Sequence, residues 1–310
     1  MKYLVTGGAG FIGSNLVERL VQLGKDVRVV DNFVTGKREN ISALLGKIEL
    51  VEGDLADPAV CAKACRGVQF IFHEAALPSV PKSVANPALS HRCNLEATLA
   101  LLIAARDAGV KRLIYAASSS AYGESPTLPK VESMPASPLS PYAVQKLAAE
   151  QYCSVFSRCY GLETISLRYF NVFGARQDPT SDYAAAIPAF VSCILRGEPP
   201  KVYGDGEQTR DFTYIDNVIE ANLLAASAAK TTGEVVNIAC GEHLSVNQII
   251  DRINHLLGKR VRPEYLPPRA GDIKHSWADI SLAQRLLGYR PVVGFEKGLQ
   301  QAIDWYKNRS

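Results

Sequence analysis

The chain has 310 residues, enough to bury a large hydrophobic core and close to the size at which one core divides into two. Its net charge of +3 is spread over 34 basic and 31 acidic residues, which argues against a nucleic-acid partner. No apolar run approaches the ~20 residues that span a bilayer, and the apolar start lacks the basic leader of a signal peptide, so no membrane partner is expected.

The seven cysteines are scattered along the chain. None of them forms a Cys-x-x-Cys pair or lies beside clustered histidines, which argues against a zinc site. Several stand in apolar surroundings, as is typical of buried thiols in a reduced protein. We therefore expect a cytoplasmic protein without a bound metal.

The chain begins with a predicted strand, a glycine turn and a helix. An apolar run at 3–5 leads into glycines spaced Gly7-x-x-Gly10-x-x-Gly13, and an amphipathic pattern follows. Such glycines permit a tight turn and close approach of the backbone to phosphate. The free N–H groups and positive dipole end of the helix suit a pyrophosphate. Because plain strand-to-helix turns show the same triplet, the surrounding sequence has to support a dinucleotide site.

A second apolar strand supplies that support. It covers 27–30 and ends at Asp31, close to the offset of roughly 20 residues expected for a carboxylate on the adenosine ribose. A carboxylate there repels a 2′-phosphate, so NAD is favoured over NADP. The alternative is a solvated turn residue at the strand end. The polar loop that follows, at 32–37, is predicted to line the adenosine side.

The rest of the first half alternates strands and helices. Strands are predicted at 48–52, 69–72, 112–117 and 164–168, helices at 90–108 and 141–160, and an irregular proline-rich loop at 124–141. Continuous apolar strands in such an alternation predict an α/β fold with a parallel, doubly wound, Rossmann-type sheet.

Beyond Gly174, loops rich in glycine, proline and charge alternate with short helices and one more strand at 235–239. This change of rhythm predicts a second, smaller, partly interleaved C-terminal lobe. The expected NAD-binding Rossmann domain is 1–175, to which 210–240 return, and the expected substrate-binding lobe is 176–209 with 241–310.

Tyr142 and Lys146 are the strongest candidates for chemistry. They stand four residues apart on one predicted helix and so share a face. A lysine ammonium near a phenol favours the phenolate and lowers the tyrosine pKa from its usual value of about 10. Such a tyrosine can accept a hydroxyl proton, as hydride transfer from a sugar carbon requires. Ser118, at the end of a neighbouring strand, is placed to bond the same oxygen. Tyr-x-x-x-Lys also occurs by chance on many helices.

Together these motifs resemble the extended short-chain dehydrogenase/reductase family, and within it the nucleotide-sugar 4-epimerases. The resemblance runs from Met1 to Tyr306 and also includes Asp54-Leu55 and the runs at 73–76, 118–120 and 168–171. It implies a tightly bound NAD that takes a hydride from the sugar C4 and returns it to the other face. The residues implied to bind NAD are Gly7, Gly10, Phe11, Ile12, Gly13, Asp31, Asn32, Thr35, Gly36, Asp54, Leu55, Ala75, Ala76, Asn94, Tyr142, Lys146 and Tyr169.

The resemblance also implies a UDP-sugar site. Arginines suit a diphosphate through bidentate hydrogen bonds, although each could equally form a surface salt bridge. Uridine is implied by the family alone. The residues implied to bind substrate are Ser79, Ser119, Ser120, Asn171, Gln177, Ala185, Arg210, Arg269, Asp272 and Ser276.

Within the family, Ser119 and Ser120 stand where sugar 4,6-dehydratases carry an Asp-Glu pair, so dehydration is disfavoured. Ser276 stands where epimerases restricted to UDP-glucose and UDP-galactose tend to carry a tyrosine. A serine leaves room for an N-acetyl group, which predicts UDP-N-acetylglucosamine and UDP-N-acetylgalactosamine as the main substrate pair, with UDP-glucose and UDP-galactose as a possible second pair. Pro78 departs from the glycine expected in the sugar loop.

Three alternatives remain open: an epimerase for UDP-glucose alone, a UDP-glucuronate 4-epimerase, and a non-catalytic NAD-binding sensor or scaffold. The family further implies a homodimer formed through the helices at 90–108 and 142–160. These helix faces could equally pack on the sheet.

Overall fold

The computed structural model describes residues 1–179, 186–268 and 273–308. The strands of this part of the chain are β1 (Lys2–Thr6), β2 (Asp26–Asp31), β3 (Glu49–Glu52), β4 (Phe70–His73), β5 (Arg112–Ser118), β6 (Glu163–Tyr169), β7 (Val172–Phe173), β8 (Lys201–Tyr203), β9 (Thr209–Arg210), β10 (Thr213–Tyr214), β11 (Glu234–Ile238), β12 (Leu244–Ser245), β13 (Glu264–Leu266) and β14 (His275–Ser276).

Seven strands form one parallel sheet in the order β11-β6-β5-β4-β1-β2-β3. Strand β1 lies between β2 and β4, so the order of strands reverses beside it. Open α/β sheets bind ligands at the carboxyl ends of the strands at this point, which is where the glycine turn lies. The prediction of a doubly wound, Rossmann-type α/β fold is confirmed.

Helices cover both faces of the sheet. They are α1 (Phe11–Gln22), α2 (Pro58–Cys65), α3 (Val80–Ala85), α4 (Pro87–His91), α5 (Ala97–Asp107), α6 (Pro141–Tyr160), α7 (Ala186–Arg196), α8 (Ile215–Ser227), α9 (Val246–Leu257), α10 (Ser281–Leu287) and α11 (Phe295–Lys307). Helices α2, α5 and α6 pack on one face, and α1 and α8 pack on the other. Short 3-10 turns lie at Arg38–Asn40, Ser42–Lys47 and Ser119–Tyr122.

The predicted helix at 90–108 differs in two respects. It begins earlier, at Pro87, because the Asn86 side chain caps α4 by accepting the Leu89 N–H at 3.0 Å. It also contains a π-helical turn at Arg92–Glu96, between α4 and α5. Such turns insert one residue into the helical repeat and are frequent at functional sites.

Helix α6 begins and ends where its sequence directs. The Ser140 side chain accepts the Ala143 N–H at 3.2 Å, and Pro141 occupies the first turn, where its missing N–H costs nothing. Gly161 ends the helix in the left-handed conformation, at φ +72°. This start places Tyr142 in the first turn, with Lys146 one turn later, at the carboxyl edge of the sheet.

The second lobe is joined to the sheet by a continuous core. It contains the small sheets β12-β9-β14 and β13-β8. Strand β11 returns to the main sheet and pairs with β6 from Glu234–Ile165 to Ile238–Tyr169. One hydrophobic cluster runs from the sheet face under α1 and α8 into α7, α9 and α11. This cluster does not divide at the predicted domain boundaries. The boundaries stay a prediction.

Within the described part of the chain, no helix is long and apolar enough to cross a membrane. Within the same residues, no group of three or more His, Cys, Asp or Glu side chains is arranged to hold a metal ion.

Candidate active site

The glycine turn is built by contacts that exclude side chains. Gly7 has φ +64°, and a Cβ on it would lie 2.7 Å from the Ala75 Cα. A Cβ on Gly13 would lie 2.2 Å from the Gly7 carbonyl oxygen. Helix α1 begins at Phe11 without a side-chain cap, so its first-turn N–H groups, including that of Ile12, remain available. A bare turn and an uncapped helix fit the pyrophosphate of a dinucleotide.

Asp31 ties the glycine turn to the loop after β2. Its side chain is buried and accepts the Ala9 N–H at 2.9 Å and the Phe33 N–H at 2.8 Å. A Cβ on Gly36 would lie 2.8 Å from both carboxylate oxygens, so this loop closes tightly over Asp31. Sequence reasoning proposed a ribose ligand here and missed this second, structural role of the same carboxylate.

The other residues predicted for the adenosine side line the same edge. The Asn32 side chain accepts the Val34 N–H at 3.1 Å, and Thr35 is exposed. Asp54 accepts the Ala56 N–H at 2.9 Å and pairs with Arg92 at 3.3 Å. The Leu55 side chain is buried in the core beneath α2 and α5, so its contact with a cofactor would be limited.

A directed chain of hydrogen bonds holds the end of β4. Thr98 Oγ1 donates to the Asn94 carbonyl at 2.6 Å, so it accepts from His73 Nε2 at 2.8 Å. His73 Nδ1 then accepts from Thr6 Oγ1 at 2.7 Å, and Thr6 Oγ1 accepts the Ala75 N–H at 3.2 Å. Burial, aided by the Lys146 charge, lowers the pKa of His73 to about 3. His73 is therefore a neutral connector between β1, β4 and α5.

Asn94 acts through the backbone of the next loop. Its Oδ1 accepts the Leu77 N–H at 2.7 Å, and its amide contacts the buried side chains of Ser90 and Gln145. The π-helical turn presents Asn94 to these partners. Asn94 therefore fixes the loop that carries Ala75, Ala76 and Ser79. Ser90 and Gln145, which hold the Asn94 amide in place, were not predicted from the sequence.

The three predicted catalytic residues come from two elements. Ser118 lies at the carboxyl end of β5, and Tyr142 and Lys146 lie at the start of α6. Ser118 ends β5, accepts from the Ser120 hydroxyl at 2.8 Å and bonds the Tyr142 phenol. Lys146 is buried and donates from Nζ to the Ala116 carbonyl at 2.7 Å, 4.9 Å from the centre of the Tyr115 ring.

The expected lowering of the Tyr142 pKa by Lys146 is wrong. Burial raises the pKa of Tyr142 above its usual value, and the hydrogen bond from Ser118 offsets this only in part. The Lys146 ammonium is directed at the Ala116 carbonyl, and burial lowers its own pKa to about 8. Desolvation, which sequence spacing cannot reveal, is the largest cause of the shift, and the Lys146 charge makes no resolved contribution to the pKa of Tyr142.

Tyr169, the last residue of β6, belongs to a buried polar group that sequence reasoning missed. Its hydroxyl donates to Glu74 Oε1 at 2.9 Å and accepts from Asn222 Nδ2 at 2.8 Å. Burial raises the pKa of Glu74 to about 7, against the opposing effects of Tyr169 and Lys146. The only sign of this group in the sequence was the acidic residue in the run His73-Glu74-Ala75-Ala76 at the end of an apolar strand.

The structure brings Arg210 and Ser276 together. Strand β14 pairs with β9 in parallel, with Ser276 opposite Arg210. Asn171, at φ +31°, donates from Nδ2 to the Asp211 carbonyl at 3.0 Å, which anchors it below the same small sheet. Ser119 and Ser120 open the 3-10 turn after Ser118.

Other predicted substrate residues are distributed around this edge. Ser79 caps α3 by accepting the Lys82 N–H at 3.3 Å. Gln177 donates from Nε2 to the Val172 carbonyl at 3.0 Å, and its Oε1 is buried without a hydrogen-bond partner. Ala185, Arg269 and Asp272 lie outside the described residues.

The loop after β7 is bound by ion pairs to α1 and to the loop after β2. Arg176, at φ +69°, donates to the Ser14 carbonyl at 3.2 Å and pairs with Glu18 of α1 at 2.6 Å. Asp178 pairs with Lys37, from the loop after β2, at 3.0 Å. The segment that carries Gln177 is thereby fixed to α1 and to the Asp31 loop.

Comparisons with known proteins agree with this geometry. A family model described as the NAD dependent epimerase/dehydratase family matches residues 3–239. The chain is 35% identical, over 314 aligned residues and 100% of both chains, to a UDP-glucose 4-epimerase of Mycolicibacterium smegmatis.

Two solved structures share the whole fold. The UDP-N-acetylglucosamine 4-epimerase of Methanobrevibacter ruminantium M1, in complex with UDP-N-acetylmuramic acid, matches with a TM-score of 0.96 and 41% identity, over 100% of this chain and 99% of that chain. The UDP-glucuronic acid 4-epimerase of Bacillus cereus, in complex with UDP-glucuronic acid and NAD, matches with a TM-score of 0.93 and 34% identity, over 100% of both chains. The chain belongs to the NAD dependent epimerase/dehydratase family, and NAD is the cofactor that its glycine turn and Asp31 loop fit.

Proposed function

We propose that the chain is a UDP-sugar 4-epimerase whose preferred pair is UDP-N-acetylglucosamine and UDP-N-acetylgalactosamine. The observation that carries the reaction is that Ser118 ends β5 while Tyr142 and Lys146 lie in the first two turns of α6, with the Lys146 ammonium on the Ala116 carbonyl of the same strand. Relatives named as 4-epimerases of UDP-glucose, UDP-N-acetylglucosamine and UDP-glucuronic acid support the reaction class.

In the proposed reaction, Tyr142 takes the proton of the sugar 4-hydroxyl while the C4–H bond breaks with its electron pair and a C4 ketone forms. Ser118 bonds both the phenol and the reacting oxygen, so it holds the two in line. NAD, when bound, supplies the acceptor and later the donor of this hydride, and its cationic ring favours the Tyr142 phenolate. Tyr142 returns the proton once the opposite face of C4 has been reduced. Lys146 is proposed to bind the nicotinamide ribose.

Asp31 is proposed to bind the adenosine ribose, since its carboxylate lies in the loop that closes over the glycine turn. Arg210 is proposed to bind the diphosphate from β9, with Asn171 beneath it. The other residues that the sequence analysis assigned to NAD are proposed to bind NAD, and those assigned to the UDP-sugar are proposed to bind the UDP-sugar.

The preference for N-acetylated sugars is supported by Ser276. Its small side chain lies opposite Arg210, the residue proposed to hold the diphosphate. A tyrosine at this position would fill space that an N-acetyl group needs. Pro78 is exposed in the loop before α3, and Ser79 of the same loop is proposed to contact the sugar.

A panel of UDP-sugars tests the reaction directly. Purified enzyme with NAD is expected to interconvert UDP-N-acetylglucosamine and UDP-N-acetylgalactosamine, followed by NMR of the products, and Tyr142→Phe is expected to lower kcat by about 10²–10⁴-fold. Undiminished turnover in Tyr142→Phe would remove the proposed base. NAD binding without turnover of any UDP-sugar would favour a sensor or scaffold.

Ser276→Tyr tests the specificity. Turnover of the N-acetylated pair is expected to fall by about 100-fold while that of UDP-glucose is retained, because a hydrophobic obstruction discriminates by roughly this factor. Ser281→Tyr, at an exposed serine of α10, is the matched control. Equal losses on both substrates, or a wild-type enzyme that turns over only UDP-glucose or UDP-glucuronate, would contradict the proposed preference.

A cytoplasmic homodimer completes the proposal. Val144, Tyr152 and Val155 of α6 and Ile103 of α5 are exposed apolar side chains on neighbouring helices, whereas Leu102 of α5 is buried. All seven cysteines are free, which suits a reducing compartment. Light scattering of the wild type and of Val155→Asp is expected to give a dimer and a monomer; a monomeric wild type would contradict it.

A further inference from the structure

We propose that Glu74 is the counter-ion of the Lys146 ammonium, held in place by Tyr169 and Asn222. The carboxylate would keep this buried lysine protonated while it binds the cofactor ribose in the proposed reaction, on which the inference rests. Glu74 is thus a positioning residue that acts through Lys146.

Two side chains from two elements orient the carboxylate. Asn222 of α8 donates from Nδ2 to the Tyr169 hydroxyl oxygen at 2.8 Å. The hydroxyl hydrogen is then free to be donated to Glu74 Oε1, at 2.9 Å. Glu74 Oε2 is buried and accepts no hydrogen bond. A buried carboxylate oxygen without a donor needs a nearby cation to stabilise its charge.

The other buried carboxylates of the described chain are already occupied. Asp31 accepts two backbone N–H groups, and Asp211 accepts those of Cys240, Gly241 and Ala278. Glu150, on the same helix as Lys146, forms a bidentate pair with Arg168 at 2.7 and 2.8 Å. This leaves Glu74 as the buried carboxylate with an open oxygen.

Lys146 is a buried cation that needs a nearby negative charge. Lys146 as a residue is 4% exposed, and the described partners of its ammonium are the Ala116 carbonyl and the face of the Tyr115 ring. His73, which precedes Glu74, pairs with Tyr115 across β4 and β5, so Glu74 follows beside the strand whose Ala116 carbonyl and Tyr115 ring contact the ammonium. Burial lowers the pKa of Lys146 to about 8, and attraction to Glu74 is the largest effect that opposes this. The same attraction lowers the pKa of Glu74. The titratable groups that face this pair are His73 of β4, Tyr115 of β5, Tyr169 of β6, and Tyr142 and Cys153 of α6.

The direction of the effect follows from these charges. Removing the Glu74 charge leaves burial unopposed, so the ammonium loses its proton at a lower pH. A neutral Lys146 amine would bind a ribose hydroxyl less firmly. Functions that need the ammonium should therefore decline at a lower pH in the variant than in the wild type.

The decisive measurement is the titration of Lys146 itself. In ligand-free protein with ¹³Cε-labelled lysine, the Lys146 signal, assigned by its loss in Lys146→Arg, is expected to titrate about one pH unit lower in Glu74→Gln than in the wild type. Glu52→Gln removes an exposed carboxylate paired with Arg38 on the far strand β3 and is expected to leave the titration unchanged. Equal Lys146 titration in the wild type and Glu74→Gln would overturn the inference.

Glu74→Asp separates charge from packing. It keeps the carboxylate on a shorter side chain and is expected to restore most of the wild-type Lys146 titration. The same lysine titration in Glu74→Asp and Glu74→Gln would contradict a counter-ion. The affinity of the apoprotein for NAD, measured against pH, is expected to decline about one unit earlier in Glu74→Gln.

These measurements do not need a sugar substrate. If the wild type turns over no UDP-sugar, the proposed function fails, whereas the Lys146 titration and the NAD affinity still decide the role of Glu74.

Discussion

His73 shows how a titratable residue at the centre of a site can be kept out of its chemistry. Both ring nitrogens are engaged, by Thr6 and Thr98, and the partner bonds fix the Nε2–H tautomer. An imidazolium would need a second donor bond where Thr6 now donates. It would also add charge beside Lys146. The sequence pattern around His73 marks a family motif, but only the bond directions reveal that the ring is a neutral brace.

His73 is therefore expected to remain neutral throughout the pH range in which the protein is folded. Burial lowers its folded pKa to about 3, while the unfolded chain takes up the proton below about 6.5. Its contribution to the free energy of unfolding is fully present above about pH 6.5. It is lost as the pH falls towards 3, at up to about 1.4 kcal/mol per pH unit. Proton NMR of the His73 ring should show no titration between pH 8 and 5; a midpoint near 6.5 would contradict the buried network.

At the scale of single elements, the glycine turn, β1 and α1 depend on one close approach. Gly13 lies within α1, where alanine would ordinarily stabilise the helix by about 1 kcal/mol. The 2.2 Å separation between a Cβ there and the Gly7 carbonyl oxygen opposes that gain. Steric exclusion therefore outweighs helix propensity at this position.

Gly13→Ala is expected to lower the free energy of unfolding by about 1–3 kcal/mol and to weaken NAD binding, because the turn must open to admit the methyl group. Gly46→Ala is the matched control, since a Cβ there would meet nothing within 4 Å. Thermal denaturation and NAD titration of the two variants check this. A Gly13→Ala protein with unchanged NAD affinity would show that the turn adapts.

Elements with strong local patterns were predictable from sequence. The strands containing Val5, Val29 and Ile114 are continuous apolar runs, and α6 has a serine cap and a terminal glycine. The π-helical turn was missed, because Asn94 and its partner Gln145 are 51 residues apart in the chain. The two-residue strands β9, β12 and β14 were missed because so short a segment carries no periodicity.

The predicted site residues show the same division between local and distant information. Ser118, Tyr142 and Lys146 come together because each follows a recognisable strand or helix start. Glu74 was passed over, because its partners Tyr169 and Asn222 come from elements 95 and 148 residues further along the chain. The pKa of Tyr142 was expected to fall, since spacing reports proximity to Lys146 but not burial.

At the scale of the whole molecule, the two lobes share one hydrophobic cluster. It extends from Leu16 and Val29 beneath the sheet, through Phe173, to Ile253 and Ile303 in the C-terminal lobe. The loop after β7 adds the ion pairs of Arg176 and Asp178 across the same junction. Neither lobe can expose its side of this cluster without exposing the other.

The chain is therefore expected to unfold in one transition. Trp277 and Trp305 both lie in the C-terminal lobe, so tryptophan fluorescence reports that lobe while far-ultraviolet circular dichroism reports both. The two signals should give the same midpoint. NAD at about 100 times its dissociation constant should stabilise both by about 2.7 kcal/mol. A fluorescence change that precedes the loss of helix would show separate units.

The position of β11 has a consequence for synthesis of the protein. Strand β6 is complete at Tyr169, but its outer neighbour β11 begins only at Glu234, 65 positions later in the chain. While a nascent chain emerges, one edge of the growing sheet therefore displays unpaired backbone groups of β6, a template for pairing with other chains. Translation speed through 170–233 thus sets how long that edge is open to aggregation, and chaperones that cover it would shorten the exposure.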